Sequence, residues 1–384
     1  MVLSYQTMAV VVGWHLYQIT HDTLALGLIG LAEIIPYFCS ALFAGYAVDH
    51  YAKRNFAVGS ALILAVSSLI LATAAEGYFS ASQFWIYFSI ALVGLARAFI
   101  APSYSAMFAM IMPRDQYAKG AGFSSTGFQL GLVVGPALGG VLVGWTNITT
   151  AYLVACGLAT IAGLALLTLK INTQKVEGEF NVFSSIAEGI RFVINHQVIL
   201  SAQALDMFAV LFGGAVAMLP AFIHDIYQVG PEGLGILRAS PAIGSILTGI
   251  YLAQNPIYKH AGKWLLCAVA GFGLCIIGFG LTTSFWIAAL MLVLSGIFDG
   301  FSVVLRTTIM QLATPDHMRG RVASINGLFI GSSNELGAFE SGVMARLMGL
   351  VPSVVFGGLM TLGVVTSTAI LAPKLRNLDL KHLE

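Results

Sequence analysis

Twelve apolar runs, each long enough to cross the ~30 Å hydrocarbon core of a bilayer, leave this chain few soluble folds. They cover approximately residues 1–19, 25–47, 56–75, 84–106, 121–144, 150–170, 199–222, 233–253, 263–281, 285–308, 323–345 and 351–371. Within hydrocarbon every backbone polar group needs an internal partner, which runs of this length meet as helices. Composition agrees, with 58% hydrophobic and 9% charged residues, against roughly 25% charged in soluble domains. The expected fold is an all-α membrane protein of twelve transmembrane helices in two six-helix bundles. The first bundle spans residues 1–171 and the second 198–384, which includes a short tail. The linker, 172–197, carries Ile186, Ile190, Val193 and Ile194 on one helical face, predicting an amphipathic helix on the membrane surface.

Basic residues orient the bundles. Fourteen of the eighteen Lys and Arg, among them Lys53, Arg54, Arg319 and Arg321, fall in the loops of one side. By the positive-inside rule that side, with both termini and the linker, is cytoplasmic. Met1 opens the first span with no cytoplasmic lead, so further residues upstream are expected. No basic leader or Ala-x-Ala site marks a cleavable signal.

Other chemistries find little support. The net charge of +1 and the lack of a basic run longer than Lys53-Arg54 give nucleic acid no footing. Cys39, Cys156, Cys267 and Cys275 are scattered singly in apolar stretches, without metal-ligand spacing. No GxxxxGK[ST] loop is present to bind a nucleotide. No enzyme activity, cofactor or metal is expected. His21-Asp22 and His224-Asp225 fall in external loops, and Asn147-Ile-Thr149 matches a sequon of a kind common by chance.

The two halves repeat each other. Glu33 lies three residues before Pro36, as Arg238 does before Pro241; Arg97 lies sixteen before Pro113, as Asp299 does before Pro315. At both positions the sign of the charge is reversed between halves. A charged side chain at mid-membrane costs at least ~2.5–3.5 kcal/mol and usually marks a pathway. Parallel repeats about an axis along the membrane normal place such residues at equal depth around a central site.

Gly45-Tyr-Ala-Val-Asp49-His-Tyr-Ala-Lys53-Arg54 resembles the loop signature of the major facilitator superfamily, Gly-x-x-x-Asp-x-x-x-basic-basic. Gly131-Leu-Val-Val-Gly135-Pro136-Ala-Leu-Gly139-Gly140 resembles the exporter signature of that family. The stretches around Gly27–Pro36, Arg97–Pro102 and Arg319–Leu328 are similar to its siderophore-exporter and macrolide-efflux branch. The second-half counterpart of the loop, Gln254-Asn255-Pro256, lacks the acid.

The resemblance implies a carrier that works by alternating access, exporting a small organic molecule, siderophore-like or drug-like, against proton influx. It implies a bacterial inner-membrane protein whose partners are substrate, protons and lipid, active as a monomer. A proton symporter for uptake is the alternative, and a non-transporting membrane scaffold or sensor is the reading from another class.

His15, Glu33, Arg97, Asp206, Arg238, Asp299, Arg306, Glu335 and Glu340 form the expected substrate and proton pathway. The resemblance puts Arg97, Asp206 and Asp299 on cavity-lining helices. Glu33, with His15 relaying to it, is the leading proton carrier, and Arg97 and Arg306 are expected to keep Asp299 ionised. Gly45, Asp49, Lys53, Arg54, Arg319 and Arg321 form the expected conformational latch. Gly131, Gly135, Pro136, Gly139 and Gly140 form a close helix-packing seam.

Overall fold

Polar punctuation decides where the apolar helices begin and end. Asp22 caps α2 (Thr23–His50) by accepting a 2.9 Å hydrogen bond from the Leu24 amide. Asn147, the sequon residue, caps α6 (Ile148–Thr168) by accepting from the Thr150 amide at 2.7 Å. Gly349, at φ 96°, makes the turn between α12 (Arg319–Met348) and α13 (Leu350–Leu371), a backbone region that glycine enters at little cost.

The computed structural model describes residues 1–169, 182–315 and 318–380. The side chains of Leu42, Tyr46, Asp49, Arg114, Ala118, Ser324 and residues 182–186 fall outside that description, as does the first part of the expected linker, residues 172–181. The remaining elements are α1 (Val2–Thr20), α3 (Lys53–Ala75), α4 (Ser82–Ile111), α5 (Tyr117–Trp145), α7 (Val182–Asn195), α8 (Gln197–Phe212), α9 (Pro231–Gln254), α10 (Ala261–Leu281), α11 (Phe285–Ala313) and the short α14 (Pro373–Arg376). Ten helical segments are long and apolar enough to cross a membrane. Neither α1 nor α12 is among these ten. The first carries Gln6, Thr7, His15 and Gln18, and the second Arg319, Arg321, Asn334, Glu335 and Glu340.

The chain divides into two compact units: Met1–Val182 with Gln228–Ala239, and Phe183–Tyr227 with Ser240–Glu384. In the first, α3 packs on α4 and α6, α2 on α4, and α1 on α5. Its core includes Leu16, Leu64, Leu71, Ile86 and Tyr152. In the second, α10 packs on α11 and α13, and α8 on α12 and α13. Leu205, Leu265, Leu305, Ile309 and Leu375 fill that core. Large apolar side chains such as Phe88, Leu164, Leu274 and Trp286 point outward, as a lipid solvent permits.

Two elements depart from the simplest expectation. The run 199–222, expected as one span, is interrupted. After α8 come a 3-10 segment at Gly214–Met218, a single turn at Leu219–Ala221 and a π-helical turn at Phe222–Tyr227. The amphipathic helix α7 is seated on α12: Val193 is buried with Met318, Val322 and Ile325. Glu188 meets Arg321 there at 2.8 Å, while Ile190 and Ile194 remain exposed.

Candidate functional site

In the first unit, three helices bring one acid, one base and two tyrosines together. Gly94 of α4 lets α2 approach so closely that a Cβ there would strike the Glu33 carbonyl. One turn on from Gly94, Arg97 reaches the Glu33 carboxylate and forms an ion pair with it. Tyr5 of α1 closes the triangle: its hydroxyl donates to Glu33 Oε1 at 3.1 Å and accepts from Arg97 Nη1 at 3.0 Å. The guanidinium also lies 4.9 Å from the Tyr5 ring centre and 5.7 Å from that of Tyr37, where ring quadrupoles favour a cation. Glu33 is almost sealed at 7% side-chain exposure, while Arg97 keeps 26%. The arginine is therefore the accessible member of the cluster. Neither tyrosine belongs to the charge pattern of the sequence; the only trace of Tyr37 there is its place one turn after Glu33.

The sign-reversed counterpart is not rebuilt in the second repeat. There Gly296 of α11 packs on the carbonyl of Pro241, one turn further along α9 than the repeat equivalent of Glu33. Ser245 and Thr248 fasten the crossing by donating to the carbonyls of Gly296 at 3.0 Å and Ile297 at 2.9 Å. The slip of one turn, about 5 Å of helix, carries Arg238 away from the crossing. Asp299 consequently has neither an ion pair nor a hydrogen bond among the described residues. The expected support of Asp299 by Arg306 is not found, since Arg306 is committed to Asp206, and within the first unit Arg97 is bound to Glu33.

Arg306, two turns beyond Asp299 on the same face, forms an ion pair with Asp206 of α8. This pair is nearly sealed, at 4% and 11% side-chain exposure. Gln203, one turn before Asp206, is 5% exposed and lies 3.7 Å from the Met310 sulfur.

The expected proton relay also differs. Nδ1 of His15 lies 3.2 Å from the Tyr152 hydroxyl, both deep in the first core, and among the described residues His15 makes no hydrogen bond to Glu33. Glu335 is half-buried on α12. One turn past Gly337, Glu340 has a carboxyl oxygen with no hydrogen-bond partner in a fully buried position.

The expected latch residues belong to both units, Gly45, Asp49, Lys53 and Arg54 to the first and Arg319 and Arg321 to the second. Asp49 lies outside the described side chains, Lys53 is buried at the start of α3, and Arg54 donates to the Leu169 carbonyl at 3.1 Å, capping the end of α6. Arg321 is held by Glu188, and Arg319 is exposed. Around Gly45 a Cβ would meet nothing within 4 Å.

In the exporter-like motif, Gly131, Gly135 and Gly139 all face α1, where a Cβ would collide with Val2, Gln6 and the Thr7 carbonyl respectively. Thr7 donates to the Gly135 carbonyl at 3.1 Å beside Pro136. Gly140 points instead at Pro231 and Gly235.

Comparison with known proteins sets this arrangement in a family. Residues 1–338 match the Major Facilitator Superfamily model. The multidrug efflux pump Tap of Mycolicibacterium fortuitum is 26% identical over 384 residues, covering 96% of this chain and 91% of Tap. Macrolide efflux protein A of Streptococcus pyogenes is 22% identical over 96% of this chain and 92% of its own. The enterobactin exporter EntS of Escherichia coli O1:K1 / APEC is 24% identical, over 95% and 88%. Among solved structures, the inward-open xylose transporter XylE from E. coli superposes with a TM-score of 0.70 at 12% identity, covering 100% of this chain and 98% of XylE. An inward-facing bacterial homologue of the lysosomal transporter Spinster gives 0.72 at 15% identity, over 97% and 96%. With ten described helical segments apolar enough to cross a membrane and a family match over most of its length, this chain belongs to the Major Facilitator Superfamily and is a multi-pass membrane transporter, not an enzyme.

Proposed function

We propose that the protein exports a siderophore-like or drug-like small molecule by alternating access, driven by protons moving inward. It works in a bacterial inner membrane as a monomer, with both termini and α7 on the cytoplasmic side. The observation that carries this reading is the Glu33–Arg97–Tyr5–Tyr37 cluster. Apolar packing would satisfy those helices at lower cost than an acid, a base and two phenols in hydrocarbon. The partly exposed Arg97, backed by two rings, is suited to an anionic or aromatic portion of a substrate. Three relatives covering almost the whole chain are named as efflux or export proteins, which supports outward transport.

Purified protein in liposomes of known orientation, given a macrolide or a fluorescent drug and an imposed pH gradient, tests the direction of coupling. Export by antiport drives the compound into the acidic compartment as protons leave it. Accumulation on the alkaline side would establish symport, and indifference to the gradient would remove proton coupling.

A further inference from the structure

The break after α8 and the orphaned carboxyl of Glu340 belong to one packing seam. Two neighbours press on the chain where α-helical geometry ends. A Cβ on Gly213 would collide with the Phe272 ring of α10, and one on Gly214 with the Gly337 carbonyl and Ser341 hydroxyl of α12. From the other side, Gly337 sits on the carbonyls of Val210 and Leu211. Thr361 of α13 donates to the Ala209 carbonyl at 3.4 Å. The chain then passes through 3-10, α and π geometry in fourteen residues, Gly214–Tyr227. A 3-10 stretch interrupting a helix often marks a functional hinge.

Glu340 flanks this seam. Its Oε1 is sealed and unpartnered, although the residue as a whole is half-buried, with Ser341 next to it in the chain. Among the described residues of its own unit, α8, the 3-10 segment and α13 bring no cation to it, and α7, which carries Arg191, is seated on the far end of α12 at Met318–Ile325. Between residues 197 and 218 the only titratable group is Asp206, already bound to Arg306, and α13 has none. Arg346 lies nearly two turns beyond Glu340 on α12 itself, and His224 and Asp225 are exposed and 2.7 Å from each other. A buried charge with no partner is costly, whereas a protonated carboxyl carries no charge to satisfy.

We propose that Glu340 is the proton-binding carboxyl that couples the pH gradient to movement of the hinge at Gly213–Met218. This rests on the proton-coupled reading above. The Glu340 carboxyl, protonated while the seam is closed, releases its proton to water on one side. The charge left behind demands hydration and parts α12 from the hinge, and a proton from the other side restores the seam. Only the proton changes hands, so no further reactant is needed.

Glu340→Gln keeps the shape and the closed seam but removes the titration. In liposomes E340Q should lose gradient-driven accumulation at least about ten-fold while substrate exchange down its own gradient persists. A second readout follows the hinge: alkylation of a cysteine at Ala217, pH-dependent in the otherwise unchanged protein, should become pH-independent when combined with E340Q. Where E340Q fails to fold, Glu340→Asp should retain coupling with a displaced pH profile. Wild-type coupling in E340Q, or an unchanged profile in E340D, overturns the assignment. A wild-type protein that ignores the gradient ends the proton-coupled reading itself.

Discussion

An arginine inside a hydrophobic helix is retained only where something answers its charge, and here two arginines are answered in different ways. Arg97 is partly open and shares its acid with a tyrosine hydroxyl; Arg306 is sealed against Asp206. The first arrangement leaves donors for a ligand, whereas the second is a strut between α8 and α11. Removing one member of a buried pair strands the other, typically at about 3–5 kcal/mol, whereas replacing both with apolar residues of similar volume is often neutral. Asp206→Asn should therefore lower thermal stability in detergent by that order, and the double substitution Asp206→Leu/Arg306→Met should restore most of it. Equal losses in the single and double variants would show that the pair does more than balance charge. From sequence, each of these acids and bases stands out by its charge alone. Which acid meets which base is decided by helix register: a slip of one turn at Pro241–Gly296 leaves Asp299 alone.

Elements in this protein meet through small residues, and the glycines differ in what they do. Gly94 lets α2 and α4 touch backbone to backbone, while the space around Gly45 is open. Gly94→Ala is expected to cost about 1–3 kcal/mol by overpacking, visible as a lower melting temperature and poorer yield. Gly45→Ala should leave stability unchanged, so that any loss of transport there belongs to conformational change and not to packing. A destabilised Gly45→Ala would contradict this division. The α7 helix illustrates what periodicity leaves open. Its apolar face is legible, but seating Val193 on Met318, Val322 and Ile325 depends on Glu188 finding Arg321, a pairing between residues more than a hundred positions apart. The break after α8 has a trace in the sequence, Gly213-Gly214 and Pro220, but that Phe272 and Gly337 pack against the two glycines is visible only in the tertiary structure.

At the scale of the whole molecule, the proposed alternating access has the two repeats exchange exposure, and the loop containing Asp49 is its proposed control point. Asp49→Asn should favour the inward-open state, raising the reactivity of cysteines near the cytoplasmic helix ends. Unchanged reactivity on both faces would remove the latch. The sequence by itself determined a great deal: twelve spans, an internal repeat, and the family resemblance carried by Gly45–Arg54 and Gly131–Gly140, which the match over residues 1–338 makes membership. It could do so because hydrocarbon demands long apolar helices whatever their neighbours. Only the tertiary structure decided that Glu33 belongs with Arg97 and Tyr5, that His15 belongs with Tyr152, and that Glu340 has a carboxyl oxygen with no hydrogen-bond partner among the described residues. Span length depends on each helix and its solvent, whereas partnership depends on the register between helices, where one turn of sliding exchanges every neighbour.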